Sequence, residues 1–160
     1  MEIRKAVADD LQQILAVYEC AREYMKKTGN ESQWGSTYPP DELVKKDISE
    51  GISYVITESG EVHGVFVFFV GEEPCYRNIN GAWLNDETYG VIHRVASDGT
   101  ISGMFKLVSE YCKTKISNIK IDTHENNHTM QHVLEKNGFK KCGIIHLEDG
   151  QPRIGFQYFK

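Results

Sequence analysis

The chain has 160 residues and a formal net charge of −5. That is enough length for one domain with a real core, and the wrong sign for a general nucleic-acid binder. Apolar residues make up 40% and charged residues 26%, the balance of an ordinary globular domain and neither a disordered nor a membrane-embedded one.

Glu2 to Ala6 reads as a short first strand, and charge this close to the start is not the pattern of a secretory leader. Asp9 or Asp10 caps a helix whose apolar stripe, Leu11, Ile14, Leu15, Tyr18, Ala21 and Met25, runs to about Lys27. Thr28-Gly29-Asn30 stops it. Glu31 to Pro40 is a loop carrying Gln33, Trp34 and Tyr38, and Asp41 to Ile48 is a second helix closed by Gly51. Ser53 to Thr57 and Val62 to Val70 form a hairpin around Glu58-Ser59-Gly60-Glu61. The second of these strands is apolar on both faces, which places it inside a sheet. It also holds the longest apolar run, far too short to span a membrane. Gly71 to Gly90 is long and irregular, with Pro74, Tyr76, Trp83 and Tyr89, and such a loop in a small domain is usually functional or mobile.

Val91 to Ala96 is β-branched and bounded by Gly90 and a polar cluster, so it reads as a strand. Ser97 to Gly103 is small, polar and glycine-punctuated. Ile101, Met104, Phe105, Val108, Tyr111 and Cys112 then recur at helical spacing, so a helix begins near Ile101. A turn of this kind aims free N–H groups at whatever lies over the helix N-terminus, where the dipole favours an anion. A plain strand-to-helix turn has the same pattern. Ile119 to Thr123 alternates as another strand. Asn126 or Asn127 caps a helix with Met130, Val133 and Leu134 inward, ended by Asn137-Gly138. Phe139 to Leu147 and Arg153 to Phe159 form a hairpin around Glu148-Asp149-Gly150. This order predicts an α/β fold over residues 1–160 as a single domain, one mixed sheet with helices on both faces. The final hairpin, if exposed, offers an edge for a second copy and hence a homodimer. Cys20, Cys75, Cys112 and Cys142 are scattered with no CxxC pair, which suits a reducing cytoplasm.

The stretch Asn127-His128-Thr129-Met130-Gln131-His132-Val133-Leu134-Glu135-Lys136-Asn137-Gly138-Phe139 resembles the Asn…Ala…Leu-Tyr-Glu-Lys-x-Gly-Phe segment of the GNAT acetyltransferase family, with the spacing intact. Gln33-Trp34 with Tyr38-Pro39, Gly81 to Asp86, His93 to Ala96, Ile121 to His124 and Cys142 to Ile145 are similar to one bacterial-type branch of that family. The resemblance thus covers nearly the whole chain. It implies a GNAT-like acyl-CoA N-acyltransferase fold, acetyl-CoA as donor and a primary amine of a small molecule or peptide as acceptor. It further implies that Arg94, Val95 and Ala96 pair with the pantetheine arm through their backbone. The amides of Gly99, Thr100, Ile101, Ser102, Gly103 and Met104 would cradle the pyrophosphate, and Asn127 would touch the CoA arm.

Two departures from the family pattern stand out. The loop, commonly Gln/Arg-x-x-Gly-x-Gly or Ala, is here Ser97-Asp98-Gly99-Thr100-Ile101-Ser102. It lacks the cation, and Asp98 repels a diphosphate unless it turns outward or caps the helix. The family's frequent catalytic tyrosine falls on Leu134, which has no ionisable proton.

Acetyl transfer from a thioester to an amine needs a neutral amine, a polarised carbonyl and a stabilised thiolate. A lysine-like amine with a pKa of about 10 is mostly protonated at neutral pH, so a base or a desolvating pocket is required. His93, on the proposed donor strand, is the candidate base, although a histidine packed between sheet and helix reads the same way. Tyr89 is a candidate acid, although a loop tyrosine more often packs or binds; Glu72 and Glu73 could deprotonate through water, although loop carboxylates are usually just solvated. A strand N–H near Val95 suits the oxyanion. Trp34, Tyr38, Trp83, Asn85 and His124 are expected to flank the acceptor, with the aromatics forming a wall or simply closing the core. Asp122 and His124 lie at the C-terminal end of a strand, a usual place for functional groups. His124, His128 and His132 are spaced by four, but His124 precedes the helix cap and no further ligand completes a set, so no metal is expected. Two other readings remain. One is an acyl-CoA-binding regulatory module without catalysis, and the other is a histidine-based metal protein.

Overall fold

In a computed structural model that describes residues 1–160, eight strands form one mixed sheet. They are β1 (Glu2–Lys5), β2 (Ser53–Glu58), β3 (Glu61–Val70), β4 (Asn80–Gly81), β5 (Gly90–Ser97), β6 (Asn118–Thr123), β7 (Lys140–His146) and β8 (Pro152–Phe159). Their order across the sheet is β1-β2-β3-β5-β6-β8-β7-β4. Every neighbouring pair is antiparallel except β5 and β6. Those two pair only at Gly90 with Ile119 and Val91 with Lys120. Beyond that point the strands part, and a wedge opens in the middle of the sheet.

The helices are α1 (Leu11–Lys27), α2 (Glu31–Trp34), α3 (Asp41–Ser49), α4 (Met104–Lys113) and α5 (His128–Lys136). α1 and α3 cover one face, with Ile14, Val17, Tyr18, Ala21 and Val44 packed on Val55, Val62 and Val65. α4 and α5 cover the other, with Met104, Phe105, Val108 and Leu134 against Ile56, Phe66, Phe68, Ile92 and Phe156. β3 feeds both layers, Val65 on one side and Phe66 on the other. Double burial explains its missing polar alternation.

A bulge shapes β5 beside the wedge. Val65 and Val67 of β3 oppose Ala96 and His93, so Arg94 and Val95 together face one residue. Arg94 sits at φ +50°, a strain of order 1–3 kcal/mol for a non-glycine. Surrounding contacts hold it there. Its Nε and Nη2 donate to the two oxygens of the buried Asp47 carboxylate on α3, at 2.9 and 2.8 Å. Its carbonyl accepts from the Tyr18 hydroxyl at 3.2 Å.

Several local expectations change. The stretch 31–40 contains the one-turn helix α2. The loop 71–90 contains a 3-10 turn at Pro74–Tyr76 and the short strand β4, which pairs with β7. Gly81 permits that pairing, because a Cβ there would lie 2.2 Å from the Cys142 carbonyl oxygen. α4 starts at Met104 and not at Ile101, because Gly103 is left-handed at φ +70° and ends the helix on that side. Asp10 does not cap α1. It accepts from Val7 N at 2.8 Å and pairs with Arg4. Asn127 is the cap of α5, its Oδ1 accepting from Met130 N at 3.0 Å. β8 lies inside the sheet, and β4 covers β7 at Gly143 and Ile144, so the edge expected to meet a second copy is only partly open. No helix is long and apolar enough to cross a membrane.

Candidate active site

The wedge between β5 and β6 leads into a cavity of about 640 Å³. Ile92 to Val95 form one wall and Ile121 to Thr123 the other, with Asn127 and Met130 of α5 at one side. Trp34 and Tyr38 cover it from the α2 segment. Glu73, Cys75 and Tyr76 enter from the loop after β3, and Glu148, Asp149 and Arg153 from the last hairpin.

His93 is the titratable group at the centre of this wall. Its Nε2 lies 2.9 Å from Glu73 Oε2, and both side chains are 20% exposed. The hydrogen bond to His93 holds the Glu73 carboxyl below its usual range despite the opposing effect of burial. Glu73 is therefore ionised at neutral pH. It is itself positioned by Cys75 N, which donates to Oε1 at 3.2 Å. With Nε2–H donating to the carboxylate, the lone pair of a neutral His93 sits on Nδ1. Below this pair, the buried Tyr76 hydroxyl donates to Asp122 at 2.7 Å. Asn127 donates through Nδ2 to Gln33 at 3.0 Å, which ties α5 to the α2 segment across the mouth.

The loop after β5 lies outside the cavity lining. Gly99 N donates to Ser97 Oγ at 3.0 Å and Thr100 N to Asp98 Oδ1 at 2.9 Å. Those two amides, expected to face a phosphate, are already engaged by short side chains of their own loop. The amides of Ile101, Ser102, Gly103 and Met104 donate to no group of the protein. They form the N-terminal edge of α4, where the helix dipole favours an anion. The Asp98 charge is offset by His63, whose Nδ1 lies 2.8 Å from Asp98 Oδ2. That hydrogen bond raises the His63 pKa.

Four other expected site residues lie elsewhere. The Tyr89 hydroxyl accepts from Glu73 N at 3.0 Å, and its ring packs on Tyr76 and Lys120, so it supports Glu73 from behind. Trp83 donates to the Tyr76 carbonyl at 2.8 Å and packs beneath that ring. Asn85 accepts from Asn118 at 2.9 Å and from Gln157 at 3.3 Å, a network that anchors its loop to the sheet. His124 sits beside the cavity, its ring bonded to Ser32 and to Asn126 N, and burial lowers its pKa. Of the aromatics assigned to the acceptor wall, only Trp34 and Tyr38 line the cavity. Arg94 and Val95 also line it, while Ala96 is buried in the α1 layer. Leu134 is fully buried in the core and brings no proton to the site. No group of three or more His, Cys, Asp or Glu side chains is placed to hold a metal ion.

A solved structure of a GNAT-family acetyltransferase from Streptococcus agalactiae is 32% identical to this chain. The match covers 99% of this chain and 95% of that one, with a TM-score of 0.88. The chain belongs to the GNAT family of acetyltransferases. This GNAT chain is therefore an acyltransferase with the family's mixed α/β fold. A Staphylococcus aureus protein assigned as an acetyltransferase is 27% identical, covers 99% of both chains and superposes with a TM-score of 0.70. A ribosomal-protein-alanine N-acetyltransferase of Brucella melitensis shares the fold over 100% of both chains, at 18% identity and TM-score 0.63. No family model and no curated relative matches the chain.

Several residues that line or brace the cavity carry no signal in the sequence. Glu73, expected either to act through water or to be solvated, bonds His93 directly from 20 residues away. Asp47 and Arg153 were not singled out at all. No local pattern marks them, because each acts across the fold on a distant element.

Proposed function

We propose that the protein transfers the acetyl group of acetyl-CoA to the primary amine of a small molecule or peptide, acting in a reducing cytoplasm. One observation carries this reading. A cavity walled by the His93–Glu73 pair opens beside a splayed strand, and that strand leads directly to four free amides at a helix N-terminus. The residues present fit the donor. The amides of residues 101–104 would hold the pyrophosphate, and the free edge of β5 past Val91 would take the pantetheine arm. Bound there, acetyl-CoA supplies a thioester carbonyl as the electrophile.

The chain's own groups then divide the work. The acceptor ammonium first loses one proton to solvent; as the neutral amine attacks, Nδ1 of His93 takes its second proton, and Glu73 stabilises the imidazolium that forms. The bulge at Arg94 and Val95 interrupts the ladder with β3, and a main-chain N–H of this stretch would serve as the oxyanion donor. Because Leu134 has no proton to give, His93 returns the same proton to the departing thiolate. Trp34 and Tyr38 exclude water on the acceptor side. The four free thiols suit a reducing compartment.

The test is direct. CoA and acetyl-CoA should stabilise the protein, by about 2.7 kcal/mol at a hundred times Kd. Thiol release from acetyl-CoA should then depend on an added amine. Stabilisation without release in a broad amine panel would favour a non-catalytic acyl-CoA-binding module. Neither effect would remove the reading.

A further inference from the structure

Four charged side chains are buried: Asp10, Asp47, Lys120 and Arg153. Three have an evident partner. Asp10 pairs with Arg4 at 2.8 Å, and Asp47 with Arg94 at 2.8 Å. The Lys120 ammonium lies between the rings of Trp83 and Tyr89, 4.3 and 4.0 Å from their centroids. Arg153 is 5% exposed and has no carboxylate within ion-pair distance and no ring beneath it. A buried guanidinium without a counter-charge is costly to maintain.

Arg153 is held in place by neutral groups. Its Nη1 donates to the Pro152 carbonyl at 2.8 Å. Its Nη2 donates to the Gln33 carbonyl at 3.3 Å and to the Gln151 side chain at 3.4 Å. These bonds use part of the donor fork and fix its plane. Asp122 and Asp149 act on it only through space, and Asp122 is already bonded by the Tyr76 hydroxyl. Arg153 lines the same cavity as His93 and Glu73.

We infer that the acceptor is an amino carboxylic acid, its carboxylate bound by Arg153 and its amine presented to the His93–Glu73 pair. The inference rests on the acetyl-transfer reading above. Nε–H and the second Nη1–H remain to donate, and a permanently charged guanidinium of fixed orientation is suited to bind a carboxylate. The ligand would bring a carboxylate into the direct contact that Asp122 and Asp149 do not make. The opposite charges at the two sites would also set the direction of the acceptor, amine toward the carboxylate of Glu73 and acid toward Arg153.

The test uses matched acceptor pairs: phenylalanine with phenethylamine, tyrosine with tyramine, and lysine with cadaverine. Thiol release from acetyl-CoA gives kcat/KM for each. The wild-type protein should favour the acid of at least one pair by about tenfold or more, a preference typical of one well-made charged contact. In Arg153→Gln the ratio within that pair should collapse towards one, and Arg153→Lys should restore part of it. A wild-type preference for the amines, or an unchanged ratio in Arg153→Gln that melts like wild type, would overturn the inference.

A second measurement separates this inference from the transfer reading. The same amino acids are titrated calorimetrically into the CoA-saturated protein. Heat of binding in wild type that disappears in Arg153→Gln supports the carboxylate site even if no turnover occurs. Turnover of simple amines with no amino-acid binding would overturn the carboxylate site and leave acetyl transfer standing.

Discussion

At the N-terminus of α4 the unpartnered polar groups are the main-chain amides of residues 101–104, beside short side chains. Inside the wedge the reverse holds. There His93, Glu73, Tyr76, Asp122 and Arg153 each sit in a fixed hydrogen-bonded place. The contrast teaches which sequence changes each region tolerates. A site made of amides survives loss of the usual glycines and cation, provided the loop keeps its path. A site made of side chains does not survive the loss of one partner.

The largest effect should come from the side-chain end. His93→Ala is expected to lower kcat by about 10²–10⁴-fold with little change in the KM for acetyl-CoA. Steady-state kinetics at saturating amine check this, and an unchanged kcat would remove His93 from the mechanism. Next, Asp47→Ala strands the Arg94 guanidinium and should destabilise the fold by about 3–5 kcal/mol, read from urea unfolding. Loss of less than about 1 kcal/mol would mean that the ion pair does not hold the bulge.

The loop end should respond to backbone changes. Gly103 is left-handed with open space where a Cβ would go, so Gly103→Ala introduces strain and no clash. The strain is roughly 1–2 kcal/mol; a loop that relaxes to relieve it moves the amides, and CoA binding should then weaken by up to about tenfold in calorimetry. A smaller effect comes from the Asp98–His63 pair. Burial pushes the Asp98 carboxyl up, but its bonds to His63 and Thr100 outweigh that and leave it below its usual value. His63 is raised, chiefly by Asp98. A depressed acid stabilises the fold above its unfolded pKa and loses that as pH falls. A raised histidine stabilises below its unfolded pKa and loses that as pH rises. The pair's contribution is therefore full between about pH 4 and 6.5 and fades on either side. Urea midpoints of wild type and Asp98→Asn should differ most within that window and converge below and above it, and parallel profiles would dismiss the pair. The smallest effect is Ser102→Ala, which should change CoA affinity by less than about twofold, because the proposed contact is to its amide alone.

The two regions also differ in how far the chain alone reveals them. The strand, loop and helix that carry the amides are contiguous, so glycine positions and apolar spacing expose them. The cap at Asn127 and the stop at Gly138 are local in the same way. Two details escaped. The apolar residue Ile101 continues the helical spacing but precedes a left-handed glycine, and Gly99 and Thr100 are engaged by neighbouring side chains. In the wedge, residues meet only after the sheet forms. Glu73 reaches His93 across 20 positions, Asp47 reaches Arg94 across 47, and Arg153 reaches Gln33 across 120. Periodicity carries no trace of such contacts. Aromatic loop residues misled for a related reason. Trp83 and Tyr89 look free in the sequence, but their rings fill a secondary core around Tyr76 and Lys120.

The most direct test of main-chain recognition is a ¹H–¹⁵N correlation spectrum recorded as CoA is titrated into the uniformly labelled protein. The largest shifts should fall on the amides of Ile101, Ser102, Gly103 and Met104, with smaller ones at Gly99 and Thr100. CoA binding that leaves those four resonances in place would contradict the account.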